Sequence, residues 1–181
     1  MKIFIAGARN IKSLDDNVKA RLMSIYNNKH SVIVGDCYGV DTAVQDFFMK
    51  MQYKNVTVFA SNGQARNNIG NWNVENVQVD VSLKGFDFYK QKDIAMANNA
   101  DYGFMIWDGS SRGTLNNIIN LIQQNKKVLV YTTIFHRMFV IGTMVQLNFL
   151  VEHCPQSTQK TYRNLLSNNQ PINDMQLSFI S

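Results

Sequence analysis

Four short segments of this chain carry the side chains that could do chemistry. The first is Gly7-Ala8-Arg9-Asn10, directly after an apolar run. Gly7 gives the backbone a tight exit, and the planar fork of Arg9 suits a phosphate. The second is Gly35-Asp36-Cys37-Tyr38-Gly39-Val40-Asp41. Its glycines, Gly35 and Gly39, let the backbone approach a ligand. The helix that opens here offers free N–H groups and a partial positive charge. Asp41, in the first helical turn, either complements the helix dipole or hydrogen-bonds a ribose hydroxyl. Cys37 has no histidine near it in sequence and reads as a loop thiol rather than a nucleophile.

The third segment, Arg66-Asn67-Asn68-Ile69-Gly70-Asn71-Trp72, combines an arginine, amides and an aromatic ring. It reads either as a polar loop anchored by Trp72 or as a surface for phosphate, sugar and base. The fourth, Trp107-Asp108-Gly109-Ser110-Ser111-Arg112-Gly113-Thr114, follows an apolar run and opens a helix. Small residues, an arginine and a helix N-terminus make an anion cradle. Its spacing matches neither the Gly-Lys-Ser/Thr phosphate loop nor the three-glycine dinucleotide fingerprint.

Such segments need a scaffold that brings them together. Residues Lys2–Ala6, Ser31–Val34, Val56–Ala60, Tyr102–Trp107 and Lys127–Tyr131 read as buried strands. Between them lie helical patterns. Ser13 is expected to cap a helix bearing Leu14, Val18, Leu22 and Ile25 on one face. Val40, Ala43, Val44, Phe47 and Met51 share a second helical face, and Leu115, Ile118, Ile119 and Ile122 another within Thr114–Gln124. A further helix is predicted over about Phe88–Asn99, after a long polar stretch, Ser61–Asp87, with a short strand at Val77–Val81. Alternation of apolar strands with helices predicts an α/β domain of three layers: a mainly parallel sheet of five or more strands, with helices on both faces. In such sheets ligands bind beyond the carboxyl ends of the strands, at the switch in strand order. The four loops should therefore share one pocket.

Composition narrows the class. A hydrophobic fraction of 45% and a charged fraction of 17% suit one packed core. There is no Pro-, Gly- or Ser-rich linker and no repeat. We therefore expect one domain over residues 1–181, with a motif-bearing core at 2–133 and C-terminal helices and a polar tail at 134–181. Met138–Val151 is apolar on nearly every side if helical, which predicts a homodimer through the C-terminal helices. The same stretch falls short of the roughly 20 residues a membrane span needs, and no signal peptide is expected ahead of the apolar first strand. A soluble, cytoplasmic protein without a membrane partner is expected. Cys37, Cys154 and the histidines show no ligand spacing, so neither a metal nor a cofactor is expected. Net charge is +5, but the lysines are scattered and form no basic run, which sets nucleic acid aside as a partner.

Taken in order, Gly35–Asp41, Arg66-Asn67-Asn68, Lys92-Asp93-Ile94-Ala95-Met96, Ala100-Asp101 and Gly109–Thr114 resemble the SLOG superfamily. That group takes its name from the DNA-processing protein Smf and the Lonely Guy proteins. The likeness spans about residues 2–133 and is nearest to small single-domain nucleotide-binding members. It implies a Rossmann-like fold and a pocket for nucleotides or nucleotide-derived ligands, and it brings Lys92 and Asp93 into the expected site. Some members release a base from a nucleoside monophosphate, and others sense ADP-ribose derivatives. The enzymes carry Pro-Gly-Gly-x-Gly-Thr-x-x-Glu. Here the Gly-Thr pair is Gly113-Thr114, the two earlier glycines become Ser110 and Ser111, and the glutamate position is Asn117. A neutral amide neither stabilises an oxocarbenium-like centre nor acts as a base.

The leading expectation is therefore a binder of a nucleoside phosphate, an ADP-ribose-like molecule or a signalling nucleotide. Its ligand-facing residues are Gly7, Ala8, Arg9, Gly35, Asp36, Gly39, Val40, Asp41, Arg66, Asn67, Trp72, Lys92, Asp93, Trp107, Asp108, Gly109, Ser110, Ser111, Arg112, Gly113, Thr114 and Asn117. The alternative is an enzyme that cleaves or transfers an N-glycosidic bond, with Asp36, Asp41, Asp93 or Asp108 supplying the missing carboxylate. No catalytic residue is assigned. A DNA-binding module is the third option.

Overall fold

Alternate residues along each inner strand face opposite layers, and this period of two divides the core. Ile3 and Ile5 pack with Val32, Val34, Val56, Val58, Phe104 and Ile106 on one side of the sheet. Phe4 and Ala6 pack with Ile33, Phe59, Met105 and Trp107 on the other. The computed structural model describes residues 1–168. Their strands are β1 (Lys2–Gly7), β2 (Ser31–Val34), β3 (Val56–Ser61), β4 (Asn73–Val77), β5 (Tyr102–Trp107), β6 (Val128–Thr132) and β7 (Arg137–Ile141). The helices are α1 (Asp16–Asn27), α2 (Val40–Lys50), α3 (Gly85–Asn99), α4 (Arg112–Gln123), α5 (Met144–Glu152) and α6 (Gln156–Asn168).

The strands form one seven-stranded sheet in the order β4-β3-β2-β1-β5-β6-β7. All neighbours are parallel except β6 and β7. Helices α1 and α2 bury Val18, Leu22, Ile25, Val44 and Phe48 against one face. The other face is covered by α3 to α6 through Met96, Leu115, Ile118, Leu147, Leu150 and Tyr162. This is the three-layer, Rossmann-like α/β architecture expected from the alternation of strands and helices. The chain runs outward from β1 to β4, then returns to pair β5 with the opposite side of β1. The strand order therefore switches between β1 and β5, and a crevice opens at their carboxyl ends.

Some local expectations are corrected. Asp15, not Ser13, caps α1, its Oδ1 accepting the Asn17 N–H at 2.8 Å. The edge strand in the polar stretch is Asn73–Val77 rather than Val77–Val81. With four of its five residues exposed, it has no apolar alternation to reveal it. Helix α3 begins at Gly85, three residues before the expected start. The all-round apolar helix over Met138–Val151 does not form. Arg137–Ile141 is instead an antiparallel edge strand on β6, and the chain turns at Gly142 into α5, capped by Thr143 and Gln146 in a reciprocal box. The homodimer expected from that helix loses its premise, although Val140, Val145 and Phe149 are exposed. The polar tail beyond Asn168 lies outside the described residues. Among those described, no helix is long and apolar enough to cross a membrane.

Candidate functional site

A cavity of about 560 Å³ opens at the switch between β1 and β5. This lies within the usual range for small-molecule sites. The exit of β1 contributes Gly7, Ala8 and Arg9, and the turn after β2 contributes Cys37. Asp108, Ser111, Gly113, Thr114 and Asn117 come from the turn after β5 and the first turns of α4. The remaining wall is α3, with Phe86, Tyr89, Lys90, Lys92 and Asp93.

Behind the cavity stands a buried charge cluster. Asp36, directly after β2, is 2% exposed. It accepts Arg66 Nη2 at 2.7 Å and Nε at 3.0 Å, and also the Arg66 backbone N–H at 3.1 Å. Lys92 Nζ, itself buried, donates to the same carboxylate. Burial alone would raise the pKa of Asp36, but the Arg66 hydrogen bonds and the Lys92 charge outweigh it and hold the group well below the usual carboxylate range. Burial also opposes the charge on Lys92. There the neighbouring Cys37, Asp36 and Asp41 win and lift the ammonium above its ordinary value. The Cys37 thiol is pushed up, by burial first and by Asp41 next, so it is not an activated nucleophile.

Two further carboxyls have no such clamp. Asp41, on the first turn of α2, accepts the Cys37 N–H at 3.1 Å, and burial raises it to about 6. Asp93, on α3, keeps part of its surface on the cavity, and burial raises it to about 7. The neighbouring Asn117 amide on α4 offsets part of that rise. Asp93 is thus poised to change charge near neutral pH at the cavity wall. Asp108 is held in the opposite sense: burial raises it, but the Ser110 and Ser111 N–H groups bond its carboxylate and bring it below the ordinary value.

The N-terminus of α4 faces the cavity without a side-chain cap. Ser111 turns its hydroxyl to Thr114 Oγ1 at 2.7 Å rather than to the backbone. Opposite it, Arg9 lies over the Tyr89 ring at 5.1 Å, with Arg66 also over that ring at 5.2 Å.

The expected site residues divide into three groups. Gly7, Ala8, Arg9, Lys92, Asp93, Asp108, Ser111, Gly113, Thr114 and Asn117 line the cavity. Gly35, Asp36, Asp41, Arg66 and Asn67 form the layer behind it, with Asn67 Nδ2 donating to the Asp36 carbonyl at 2.8 Å. The others serve the scaffold. Trp72 is buried in the core and donates its indole N–H to the Tyr53 carbonyl at 2.7 Å. Trp107 does likewise to the Ser111 carbonyl at 3.2 Å, and Val40 is buried at the start of α2. Gly39, at φ 88°, permits close approach to the Arg9 backbone, where a Cβ would sit 2.4 Å from its carbonyl oxygen. The Gly109 carbonyl accepts Thr158 Oγ1 from α6 at 2.6 Å, and Ser110 is exposed. Arg112 is turned onto the Phe86 ring, 3.8 Å away, and its side chain borders a separate groove with Thr161 and Asn164.

Sequence reasoning missed Phe86, Tyr89 and Lys90, which carry no motif. Only an earlier start for α3 would have pointed to Phe86. Among the described residues, no three His, Cys, Asp or Glu side chains are grouped to hold a metal ion.

Fold and crevice together define a Rossmann-like α/β protein with a strand-end cavity. No protein-family model and no curated protein matches the chain. It is similar in structure to DNA processing protein A from Helicobacter pylori, solved in work on that protein's single-stranded DNA binding mode. The two share 14% identity at a TM-score of 0.57, covering 93% of this chain and 81% of the other. At that identity the likeness concerns the fold. It nevertheless overturns the expectation that set nucleic acid aside, because a protein of this fold binds single-stranded DNA. A scan for basic runs misses cations that converge only in space, as Arg9, Arg66 and Lys92 do around Cys37.

Proposed function

We propose that this chain binds a nucleotide or a nucleotide-derived ligand in the cavity between β1 and β5. The observation that carries this reading is the uncapped N-terminus of α4, facing the same cavity as the cations Arg9 and Lys92 and the rings of Phe86 and Tyr89. A helix N-terminus takes an anionic group without needing a side chain. Aromatic faces take a base, and arginine takes either. The motif order supports membership of the SLOG superfamily. Of the four carboxylates that could serve an N-glycosidase, Asp36 and Asp108 are held ionised by their partners and Asp41 lies behind the wall. Asp93 is therefore the candidate for that activity.

A second reading is favoured by the structural similarity to a protein that binds single-stranded DNA. A net charge of +5 and the Arg9–Tyr89–Arg66 stack are compatible with a strand whose bases stack as it passes. Calorimetry separates the readings. Saturable binding of a nucleoside monophosphate or ADP-ribose at moderate salt supports the first. Binding of a short oligodeoxythymidylate, weakening steeply with salt and with no mononucleotide binding, supports the second. Chromatographic detection of free base would add turnover to the first.

A further inference from the structure

Charge around the cavity is balanced before anything binds. Among the described residues, four cations line it or stand directly behind it: Arg9, Lys90, Lys92 and Arg66. Four carboxyls accompany them, Asp93 and Asp108 in the wall and the buried Asp36 and Asp41 behind it. A nucleotide brings about one to two further negative charges. The N-terminus of α4 offsets roughly half of one. The remainder falls to a group at the site that can give up its own negative charge.

Asp36 cannot do so, because Arg66 and Lys92 clamp it as a carboxylate. Asp108 is held by the Ser110 and Ser111 N–H groups. Asp41 lies behind the wall and accepts the Cys37 N–H. Asp93 differs: it lines the cavity, and among the described residues no backbone N–H or cation donates to it. The groups that act on it come from several elements. Burial disfavours its charge most, and Asp41 on α2 adds to that, while Lys92 on α3, Asn117 on α4 and Arg9 after β1 oppose it. The same wall presents Cys37, Lys90 and Asp108. Lys92 is committed to Asp36 and Arg9 lies over Tyr89, so neither cation pairs with Asp93. The balance leaves its carboxyl at about 7.

We propose that Asp93 takes up a proton when an anionic nucleotide enters the cavity, so that ligand affinity falls as pH rises through neutrality. This rests on the nucleotide reading above and deepens it by naming how the site is regulated. An anion placed in the same cavity disfavours the Asp93 carboxylate further, because like charges in a poorly solvated site repel. Linkage makes the effect reciprocal: a ligand that strengthens proton binding is itself held more tightly by the protonated protein. The proton comes from solvent and rests on the Asp93 carboxyl, and no other bond is made or broken.

The test is calorimetry on the full chain with ADP-ribose and with cyclic AMP. Their pyrophosphate and phosphodiester groups keep a fixed charge near neutrality, whereas a phosphomonoester itself titrates near about 6. Titrations at about pH 7.5 in three buffers of different ionisation enthalpy count the protons taken up, and about 0.3–1 per ligand is expected. Affinity should fall about tenfold or more between about pH 6 and about pH 8.5. Asp93→Asn, which keeps the shape of the protonated carboxyl, should remove both the proton uptake and the pH dependence. If the asparagine variant does not fold, Asp93→Ser is read in the same way. Binding to the native protein with no proton uptake overturns the proposal and leaves the nucleotide reading in place. Uptake that persists in the Asp93 variant also overturns it. Binding of neither compound at about pH 6 removes both.

Discussion

Arg66 and Asp36, thirty residues apart, meet as a two-pronged ion pair: Nη2 to Oδ1 at 2.7 Å and Nε to Oδ2 at 3.0 Å. The pair ties the turn after β2 to the loop after β3. Because Lys92 shares the same carboxylate, it also fixes α3, whose side chains form one wall of the cavity. An arginine that looks ligand-facing in sequence is thus a strut.

Removing the shared carboxylate should be expensive. Asp36→Asn leaves the buried Lys92 ammonium without its closest counter-charge. Breaking one partner of a buried pair typically costs about 3–5 kcal/mol. A denaturant melt should show that loss, and a change within about 0.5 kcal/mol would contradict the assignment of Asp36 as the hub.

Stability should depend on pH with a definite sign. Burial raises Asp41 to about 6 and Asp93 to about 7, whereas both titrate near about 4 in the unfolded chain. Between those values the folded state holds more protons, so the two groups make stability fall as pH rises from about 4 to about 7. Asp36 acts oppositely. Its folded pKa is lowered, so its contribution is complete above about 4 and is lost as pH falls through the folded value. Melts at pH 5 should therefore show greater stability than melts at pH 8, and Asp93→Asn should narrow the difference. A native protein equally stable at both would refute the raised carboxyls.

Gly113→Ala separates stability from binding. Gly113 is helical, lines the cavity, and a Cβ there meets nothing within 4 Å. Alanine should stabilise the helix by about 0.5–1 kcal/mol and raise Tm. If the N-terminus of α4 holds the anionic group of the ligand, the added methyl should also weaken nucleotide binding. A higher Tm with unchanged affinity would move the anion elsewhere.

Gly39→Ala should do the reverse. A Cβ there would sit 2.4 Å from the Arg9 carbonyl oxygen in a backbone at φ 88°. The strain of a non-glycine residue there is about 1–3 kcal/mol, and relief would push the Arg9 loop into the cavity. Both a lower Tm and weaker nucleotide binding are expected, the first by calorimetry and the second by titration. A variant as stable as the native chain would show that the loops after β1 and β2 are not in contact.

Arg9 and Arg112 should differ in their effect on affinity. Arg9 lines the cavity, whereas Arg112 lies on Phe86 and borders another groove. Loss of one charge-assisted hydrogen bond costs about 1.5–3 kcal/mol, so Arg9→Ala should weaken a phosphate-bearing ligand by roughly tenfold to a hundredfold. Arg112→Ala should change it by no more than a fewfold. The opposite ranking, measured with one nucleotide, would put the phosphate on the outer side of α4.

The alternation of apolar strands with helical faces was legible in the sequence, because buried parallel strands and amphipathic helices differ in their period. The sites of the loop glycines and of the helix-opening Ser-Ser-Arg-Gly-Thr were legible for the same reason. Strands β4 and β7 depart from the pattern that the sequence predicts, since an edge strand needs no apolar alternation. A five-residue strand followed closely by a short helix can also look like one long apolar helix. What only the tertiary structure decided was the role of each polar loop residue. Arg9, Arg66 and Arg112 are chemically identical and all sit near strand ends. One faces the cavity, one neutralises a buried carboxylate, and one stacks on an aromatic ring. Those roles depend on partners 30 and 26 residues away for Arg66, Asp36 and Lys92, and 26 away for Arg112 and Phe86. Side-chain partners that far apart are set by how strands order in the sheet and helices pack across it, and local spacing carries no record of that.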